Sequence, residues 1–447
     1  MESTVAAFRE RLTQPWLESA AQERVRVCFE ARLAELAARG EGDAPAVLLA
    51  ESEPEAFLGG LLAAVAAGAP VFLANPAWRE NEWAQVAAQL KPARTWGEVP
   101  LPTVADGTAL RLSGPDLRPF AGHILIPTGG TGGRVRFAAH TWETLGAAAG
   151  GYAAFFHAQP VHAWCVLPLW HVSGLMQAVR TFRTGGRLVL GDYREMAAPA
   201  PGMPGREAFH LSLVPTQFGR ILAREGGADW LRGFGLILLG GAALPEDLQA
   251  AARAAGLRVA GSYGMTETAA MVAAQRPEDF LAGEPLAGEV FPHAQVTVED
   301  GEITIRAASL FRGYYPEHPT LRAEFRPGDE GLLDSQGRLR VIGRRDRLII
   351  SGGEKIDPLE VEAAIRRLAP GAEALVTGEP DPDWGQRVIA LVAGVDEAGL
   401  KALEQALRGH LQPACLPKRW VLVEALPLKP NGKLDRMRLA QLLETAS

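Results

Sequence analysis

The hydrophobic and polar positions of this chain change their pattern near residue 290. Before that point, short runs of Val, Ile and Leu lie between Gly or Pro residues, and each run predicts a buried strand. The runs are HAWCVLPL (162–169), GRLVLG (186–191), LILLG (236–240) and LRVAGSYG (257–264). Between the last two, PEDLQAAARAAG has apolar and small residues at helical spacing. Strands that alternate with helices predict an α/β protein with a mostly parallel sheet covered on both faces.

A different pattern follows residue 290. The segment VTVEDGEITIR turns at Asp300-Gly301, a residue pair that predicts an antiparallel hairpin. Further on, Asp357 as N-cap and Pro358 at the first helical position predict a helix. The apolar stripe predicted for that helix is Leu359, Val361, Ala364, Ile365 and Leu368. The end of the chain therefore predicts a small α+β domain.

Composition narrows the class of protein. A chain of 447 residues is too long for one compact core and predicts two or more domains. Its hydrophobic fraction of 47% and charged fraction of 22% are typical of a globular protein. The formal net charge of -7 argues against nucleic acid or an anionic membrane as the main partner, whereas anionic small molecules stay possible.

Three features bear on where the protein works. Its cysteines, Cys28, Cys165 and Cys415, are far apart and lack metal-ligand spacing, so we expect a reducing compartment, the cytoplasm, with no disulfide framework or zinc site. The N-terminal MESTVAAFRERL lacks the layout of a signal peptide. The most apolar stretch begins at Phe57 and is broken by Pro70, so it falls short of the ~20 residues of a membrane span. We predict a buried helix followed by a strand there.

A glycine-rich stretch, PTGGTGG (127–133), follows the apolar run ILI. Between a strand and a helix, such a loop offers successive backbone N–H groups and threonine hydroxyls to phosphate oxygens. The Walker signature fails because no Lys-Ser or Lys-Thr follows the glycines, and the dinucleotide signature fails because Val135 stands where its third glycine belongs. Taken alone, the stretch is either a phosphate loop or a tight connecting turn.

Seven stretches, in this order, resemble the core motifs of the adenylate-forming acyl-CoA and aryl-CoA synthetases. They are IPTGGTGG followed by HTW, LPLWHVSGL, LLGGAAL, GSYGMTET, RPGDEG, GRRDRLIISGGEKIDPLEVE and LPLKPNGKLDR, within residues 120–440. The resemblance implies a large N-terminal domain, 1–345, of mixed, mostly parallel sheets with flanking helices and a small distorted barrel. It also implies a small, mobile α+β C-terminal domain, 346–447, with a hinge near Asp346.

Within this superfamily, the chain is most similar to the o-succinylbenzoate–CoA ligases of menaquinone and phylloquinone biosynthesis, through PTGGTGGRVRFAAHTWETL, SLVPTQFGR and SYGMTETAAMVAAQRPEDF. The resemblance implies a ligase that forms acyl-AMP and pyrophosphate from a carboxylic acid and ATP, and then transfers the acyl group to coenzyme A. It implies ATP, Mg²⁺ and coenzyme A as cofactors or co-substrates. No nucleic acid and no stable membrane insertion are expected, and a monomer or a homodimer stays open.

The resemblance assigns the phosphate site to the glycine loop. Its residues expected at the β- and γ-phosphates are Thr128, Gly129, Gly130, Thr131 and Gly132. The family usually has Pro-Lys after the loop, whereas this chain has Arg134, Val135 and Arg136. Either arginine is therefore a candidate for the phosphate-binding cation, with bidentate contacts in place of a point charge.

Further motifs imply the rest of the nucleotide site. Tyr263 is expected against the adenine, Thr266 near the α-phosphate and Glu267 on Mg²⁺, a hard cation that prefers oxygen ligands. The remaining implied nucleotide contacts are Gly240, Gly241 and Ala242 along the adenine, Gly264 and Met265 in the same motif as Tyr263, and Asp329 and Arg344 at the ribose.

Lys433, in the turn PNGK, is the implied catalytic residue of the first half-reaction. The resemblance implies that its ammonium bridges the attacking carboxylate and the nucleotide. Rotation at Asp346 is expected to withdraw Lys433 and to bring Gly352, Gly353 and Lys355 to the site, where they admit coenzyme A.

The acid pocket is less defined by the sequence. Relatives that activate amino acids commonly have an aspartate where His171 follows Trp170, so an amino acid is disfavoured and His171 is expected to line the pocket for the carboxylate. Candidate donors to the second carboxylate of a succinylbenzoate are Ser173, Thr216, Gln217 and Arg180. Three alternatives stay open: a ligase for another aryl or short acyl acid, an enzyme that delivers acyl-AMP to a carrier protein, and a non-catalytic nucleotide-binding relative.

Overall fold

The computed structural model describes most of the chain. The described residues are 2–38, 45–90, 94–99, 117–129, 135–198, 202–242, 244–284, 288–344, 349–351, 354–382, 385–411, 413–428 and 434–445. The α-helices in these ranges are α1 (Glu2–Thr13), α2 (Ser19–Ala37), α3 (Pro54–Ala66), α4 (Glu80–Gln89), α5 (Trp142–Phe155), α6 (Val172–Thr184), α7 (Pro215–Leu222), α8 (Gly227–Arg232), α9 (Glu246–Ala254), α10 (Pro277–Leu281), α11 (Pro358–Leu368), α12 (Glu397–Leu407) and α13 (Arg436–Thr445).

The strands form four sheets. Their bounds are β1 (Val47–Ala50), β2 (Val71–Leu73), β3 (Arg94–Gly97), β4 (His123–Gly129), β5 (Val135–Thr141), β6 (His162–Cys165), β7 (Leu188–Leu190), β8 (Phe209–Leu213), β9 (Leu236–Leu239), β10 (Val259–Met265), β11 (Ala270–Ala274), β12 (Glu289–Val290), β13 (Ala294–Glu299), β14 (Glu302–Ala307), β15 (Tyr314–Tyr315), β16 (Asp329–Leu333), β17 (Leu339–Arg344), β18 (Ile349–Ser351), β19 (Glu354–Ile356), β20 (Glu373–Asp381), β21 (Gly385–Ala393) and β22 (Arg419–Leu422).

The first sheet has the strand order β15-β5-β4-β2-β1-β3. Strands β4, β2, β1 and β3 are parallel, whereas β5 and β15 are antiparallel to their neighbours. The apolar stretch from Phe57 is the predicted buried helix, α3, followed by β2. No helix among the described residues is long and apolar enough to cross a membrane.

The second sheet has the order β12-β11-β10-β9-β8-β6-β7. Its five strands from β10 to β7 are parallel, and β11 and β12 add an antiparallel edge. The four predicted strands and the predicted helix between the last two are all present, as β6, β7, β9, β10 and α9. The α/β prediction is therefore confirmed.

The third sheet is antiparallel, in the order β13-β14-β16-β17. Its first pair is the predicted hairpin, and both turn residues have positive φ, 51° at Asp300 and 78° at Gly301. Two positive values match the type I′ turn that suits the twist of a hairpin. This sheet packs against β11 of the second sheet through Val272, Ile303 and Ile305, which places it beside the end of β10.

The fourth sheet lies in the C-terminal part, with β19, β18, β21 and β20 in order and β22 beside β21. Helix α11 begins after Asp357, whose side chain accepts from Leu359 N at 2.9 Å, as predicted. The predicted apolar stripe is wrong at Leu359, which is 40% exposed. Leu359 lies two residues before Val361, about 200° around the helix from it, and so on another face. The predicted boundary at 345/346 falls within 345–348, outside the described residues.

Candidate active site

Four of the predicted site segments meet at one edge of the second sheet. Parallel strands end at the same edge, and ligands of α/β sheets bind outside their carboxyl ends. In the order β10-β9-β8-β6, the segments that follow or end these strands are Tyr263–Glu267, Gly240–Ala242, Thr216–Gln217 and His171–Ser173. The sheet therefore brings together four motifs that are far apart along the chain.

The glycine loop joins two antiparallel strands. Strand β4 pairs with β5 up to Gly129 and Val135, and α5 begins only after β5, at Trp142. The expected passage from strand to helix is therefore wrong, because residues 135–141 form a second strand that pairs along its whole length with β4. The next helix, α5, begins only after β5, so the expected phosphate site would depend on backbone N–H groups, hydroxyls and cations and not on a helix N-terminus. Residues Gly130–Arg134 lie outside the described residues.

Thr266 and Glu267 lie in a short 3₁₀ helix at the end of β10, and both are buried. The backbone that follows is unusual, since Ala269 and Ala270 have φ values of 52° and 76°. Positive φ is uncommon for residues other than glycine and costs roughly 1–2 kcal/mol for each. Surrounding contacts therefore fix this turn, as at many functional sites.

The Glu267 carboxylate accepts a hydrogen bond from a tyrosine. The hydroxyl of Tyr314 donates to Glu267 Oε1 at 2.6 Å, and the guanidinium carbon of Arg136 lies 3.5 Å from the centre of the Tyr314 ring. Burial, and then the Glu267 carboxylate, raise the pKa of Tyr314, so this tyrosine stays a neutral donor. Sequence reasoning missed Tyr314, because its place depends on the pairing of β15 with β5.

Thr266 has a buried partner of its own. The Nε2 atom of His140 lies 2.7 Å from the Thr266 carbonyl oxygen, and Nδ1 lies 3.0 Å from Thr144 Oγ1. His140 is fully buried, and burial is the main cause that lowers its pKa to about 4. It is therefore neutral, and it donates from Nε2 to the carbonyl. His140 stands in the HTW motif, but no role was assigned to it from the sequence.

Three residues predicted for the adenine and ribose form one group. The Tyr263 hydroxyl donates to Asp329 Oδ2 at 2.5 Å, and Arg344 Nη1 lies 3.5 Å from Asp329 Oδ1. Asp329 and Arg344 are paired residues of β16 and β17. Asp329 is buried, unlike an acidic residue in an exposed turn. Burial, and then the Asp329 carboxylate, raise the pKa of Tyr263.

Two of the glycines predicted beside the nucleotide have no room for a side chain, because other parts of the protein pack against them. A Cβ at Gly240 would lie 2.7 Å from Ser262 Oγ, and Gly241 has a φ of 82°. A Cβ at Gly264 would lie 1.9 Å from the carbonyl oxygen of Ala270. Ala242 is exposed next to these glycines. The β10–β11 register shifts between Tyr263 and Gly264, so Met265 and Glu267 follow an irregular point of the sheet.

The predicted acid residues divide into two groups. His171 is the N-cap of α6, and its Nδ1 accepts from Ser173 N at 3.3 Å and lies 2.9 Å from Ser173 Oγ. Because Nδ1 accepts, the proton of the neutral ring is on Nε2. In the other group, Gln217 Oε1 accepts from Val214 N at 3.2 Å, while Thr216 is exposed.

A buried polar group lies behind these residues. Arg180, 3% exposed, stacks on the ring of Tyr152 at 4.0 Å, and the Tyr152 hydroxyl lies 2.7 Å from His210 Nδ1. Among the described residues, no hydrogen-bond partner is found for Arg180 Nε, Gln177 Oε1 or either ring nitrogen of His293. Burial, and then the Arg180 charge, lower the pKa of His293 to about 4. The group therefore has a buried cation with no acid to pair with it in this part of the chain.

Several predicted site residues cannot be placed. Gly130, Thr131, Gly132, Arg134, Asp346, Gly352, Gly353 and Lys433 lie outside the described residues, as does the side chain of Lys355.

The fit of Mg²⁺ rests on one carboxylate. Within the described ranges, no group of three or more His, Cys, Asp or Glu residues is arranged to hold a metal ion. Magnesium at a nucleotide is usually held by one or two carboxylates with phosphates and water. The buried Glu267, in the 3₁₀ helix that contacts β4, therefore suits a metal that arrives with ATP.

Comparison with known proteins agrees with this arrangement. The family model described as "AMP-binding enzyme" matches residues 90–315, and that of the "AMP-binding enzyme C-terminal domain" matches 360–433. The 2-succinylbenzoate–CoA ligase of Salmonella typhimurium is 33% identical over 70% of this chain and 67% of its own. The enzyme of that name from Bacillus velezensis is 32% identical over 71% of this chain and 68% of its own.

Solved structures share the whole fold. One is o-succinylbenzoate CoA synthetase from Bacillus subtilis in complex with its acyl-adenylate intermediate, with a TM-score of 0.77, 22% identity and coverage of 97% of both chains. Another is ATP-bound MatB from Rhodopseudomonas palustris, with a TM-score of 0.76, 24% identity and coverage of 96% of this chain and 95% of that one. The resemblance identified in the motifs is confirmed, and the chain belongs to the family of AMP-binding enzymes.

Proposed function

We propose that this protein is an ATP-dependent o-succinylbenzoate–CoA ligase of menaquinone or phylloquinone biosynthesis. One of the two carboxylates of the acid, the aryl or the succinyl one, reacts in the first step. Its oxygen bonds to the α-phosphorus of ATP, and pyrophosphate leaves. In the second step the sulfur of coenzyme A bonds to the acyl carbon, AMP leaves and the thiol gives up its proton. The protein provides no covalent nucleophile, so it acts by positioning and by stabilising charge.

The buried cation Arg180 on α6 is the observation that carries this choice of acid. Ser173, Gln177 and Arg180 are spaced by four and three residues, so they lie on one face of the helix that begins at His171. Arg180 is about 10 Å along the helix axis from Ser173. A dicarboxylic acid suits this layout, with the reacting carboxylate near His171 and the other one near Arg180. A buried guanidinium is costly without an anion, and the second carboxylate provides it.

The described residues also support roles in nucleotide binding. Tyr263, Asp329 and Arg344 form the group that we assign to the adenosine, and Glu267 is the residue that would hold Mg²⁺. Bound Mg²⁺ would offset negative charge on the phosphates. Coenzyme A as the acceptor and the cytoplasm as the location remain predictions from the sequence. The three cysteines, Cys28, Cys165 and Cys415, are all free thiols, which is compatible with a reducing compartment.

Pyrophosphate and AMP release with a panel of acids tests the proposal. We expect o-succinylbenzoate to give pyrophosphate alone, and AMP with its CoA thioester once coenzyme A is added. Release with benzoate or a short acyl acid but not with o-succinylbenzoate would contradict the assigned substrate. Acyl-AMP that accumulates without reacting with coenzyme A would favour the carrier-protein alternative. A lack of pyrophosphate with every acid would favour the non-catalytic one.

Substitution of Arg180 tests the proposed binding of the second carboxylate. We expect Arg180→Met to lower kcat/KM for o-succinylbenzoate about 100-fold, because truncating one partner of a buried ion pair costs roughly 3 kcal/mol. The same variant should act on an ester of the non-reacting carboxylate within about threefold of the wild-type value, because that compound lacks the second charge. Equal losses on the acid and on its ester would contradict the role given to Arg180.

A further inference from the structure

Tyr314 contacts both Arg136 and Glu267 and lies between them. The cation faces the ring of Tyr314 at 3.5 Å, and the tyrosine hydroxyl donates to the carboxylate at 2.6 Å. Arg136 and Glu267 do not form an ion pair with each other in the described part of the chain. Tyr314 thus contacts each charged group in a different way, through its ring and through its hydroxyl.

Strand pairing explains why these residues meet. Tyr314 of β15 is opposite Ala138 of β5, and Arg136 is two residues from Ala138 on the same strand. Diagonal neighbours on one face of an antiparallel pair are within reach of aromatic and long side chains. Thr128 of β4 is opposite Arg136, which places Thr128 on that face too. The backbone N–H of Phe311 donates to the Glu267 carbonyl at 2.9 Å, so the segment that carries Tyr314 is also bound to the 3₁₀ helix of Glu267.

The separation of the two charges has a consequence for the nucleotide. An arginine bound to a carboxylate has fewer N–H groups to offer, whereas one held by its face on a ring keeps the donors at its edge for phosphate oxygens. A carboxylate that accepts one hydroxyl hydrogen bond keeps further lone pairs for a metal ion. Tyr314 therefore holds both groups in place without neutralising either one.

We infer that Tyr314 is a positioning residue for the triphosphate of ATP, and that Arg136 is the cation that replaces the missing Pro-Lys. Arg136 binds the β- and γ-phosphates from the face of the β4–β5 hairpin. Tyr314 fixes Arg136 through its ring and fixes Glu267, the residue assigned to Mg²⁺, through its hydroxyl. The inference rests on the proposed use of ATP, and it is independent of which acid is activated.

Calorimetric binding of ATP and AMP separates the two roles. We expect Arg136→Ala to weaken ATP binding at least tenfold and to leave AMP binding within twofold, because AMP lacks the β- and γ-phosphates. Tyr314→Phe keeps the ring, so ATP binding without Mg²⁺ should be unchanged, while the Mg²⁺ concentration needed for tight binding should rise at least fivefold. Tyr314→Leu should show both defects. AMP binding within twofold of the wild-type value also shows that each variant is folded.

Arg253→Ala is the matched control, because Arg253 also stacks on an aromatic ring but belongs to none of these motifs. Its guanidinium carbon lies 5.2 Å from the centre of the Phe280 ring. It should bind ATP as the wild-type protein does. Equal losses of ATP and AMP binding in Arg136→Ala, or an unchanged Mg²⁺ requirement in Tyr314→Phe, would overturn the inference. If the wild-type protein binds no ATP, the proposed function fails with it. If it binds ATP and activates another acid, only the proposed substrate fails.

Discussion

Neutral side chains hold the polar groups of the nucleotide site. Tyr314 donates to Glu267, Tyr263 donates to Asp329, and His140 donates to the carbonyl of Thr266. Burial is the main cause that raises the pKa of both tyrosines and lowers that of the histidine, so all three stay uncharged near neutral pH. A neutral donor fixes the orientation of a carboxylate without cancelling its charge.

The free energy of unfolding should decrease as the pH is lowered, because His140 resists protonation in the folded state. Its pKa is about 4 when folded, against roughly 6.5 when unfolded. Its contribution is complete above pH 6.5 and is lost as the pH falls towards 4, where the unfolded chain alone binds the proton. Between pH 7 and 5 this loss is about 2 kcal/mol. We expect His140→Gln, whose amide can still donate to the Thr266 carbonyl, to lose that much less stability over the same interval.

Urea unfolding of both proteins at several pH values measures this difference. His210 and His293 also have pKa values lowered to about 4, chiefly by burial, so both proteins should lose some stability in acid. The comparison between the two proteins removes that shared part. Identical pH dependence of the unfolding free energy would show that His140 is not the group responsible.

Strand ends place most of the site, and this explains how far the sequence could predict it. His171, Gly240 and Tyr263 follow or end buried apolar runs that are visible in the sequence, so their meeting at one edge follows from a parallel sheet. Tyr314 and His140 could not be assigned, because their contacts depend on pairing and packing between segments distant in the sequence. The glycine loop was predicted to lead into a helix for the same reason, since nothing local shows that β5 returns along β4.

The irregular point between β10 and β11 should not tolerate a side chain. A Cβ at Gly264 would lie 1.9 Å from the Ala270 carbonyl oxygen, so Gly264→Ala must displace the turn that carries Thr266 and Glu267. We expect a destabilisation of about 1–3 kcal/mol, typical of overpacking, and a fall of about 100-fold in acid-dependent pyrophosphate release. Gly150→Ala is the control, because its added Cβ meets nothing within 4 Å. Normal activity of Gly264→Ala would show that this turn adapts without effect on the site.

At the scale of the whole molecule, the chain has separate cores. The hydrophobic clusters of the described residues contain either residues up to Leu339 or residues from Ile349 onwards, and none contains both. A segment with its own core can move as a unit. This supports the proposed division at 345/346. The sequence could suggest the division through its change of pattern, whereas the position of Lys433 relative to the site depends on the orientation of the small domain.

Lys433 and the proposed rotation lead to opposite expectations for the two half-reactions. Lys433→Ala removes the ammonium that we assign to the attacking carboxylate and the nucleotide, so acyl-AMP formation should fall by about 100-fold to 1,000-fold. Thioester formation from supplied acyl-AMP should stay within about threefold, because the rotated domain has withdrawn Lys433 by then. Lys401→Ala, an exposed lysine on α12 of the same domain, controls for the loss of a charge and should leave both steps unchanged. Single-turnover measurements of each step make the comparison, and an equal loss in both would mean that Lys433 stays at the site throughout, which contradicts the rotation.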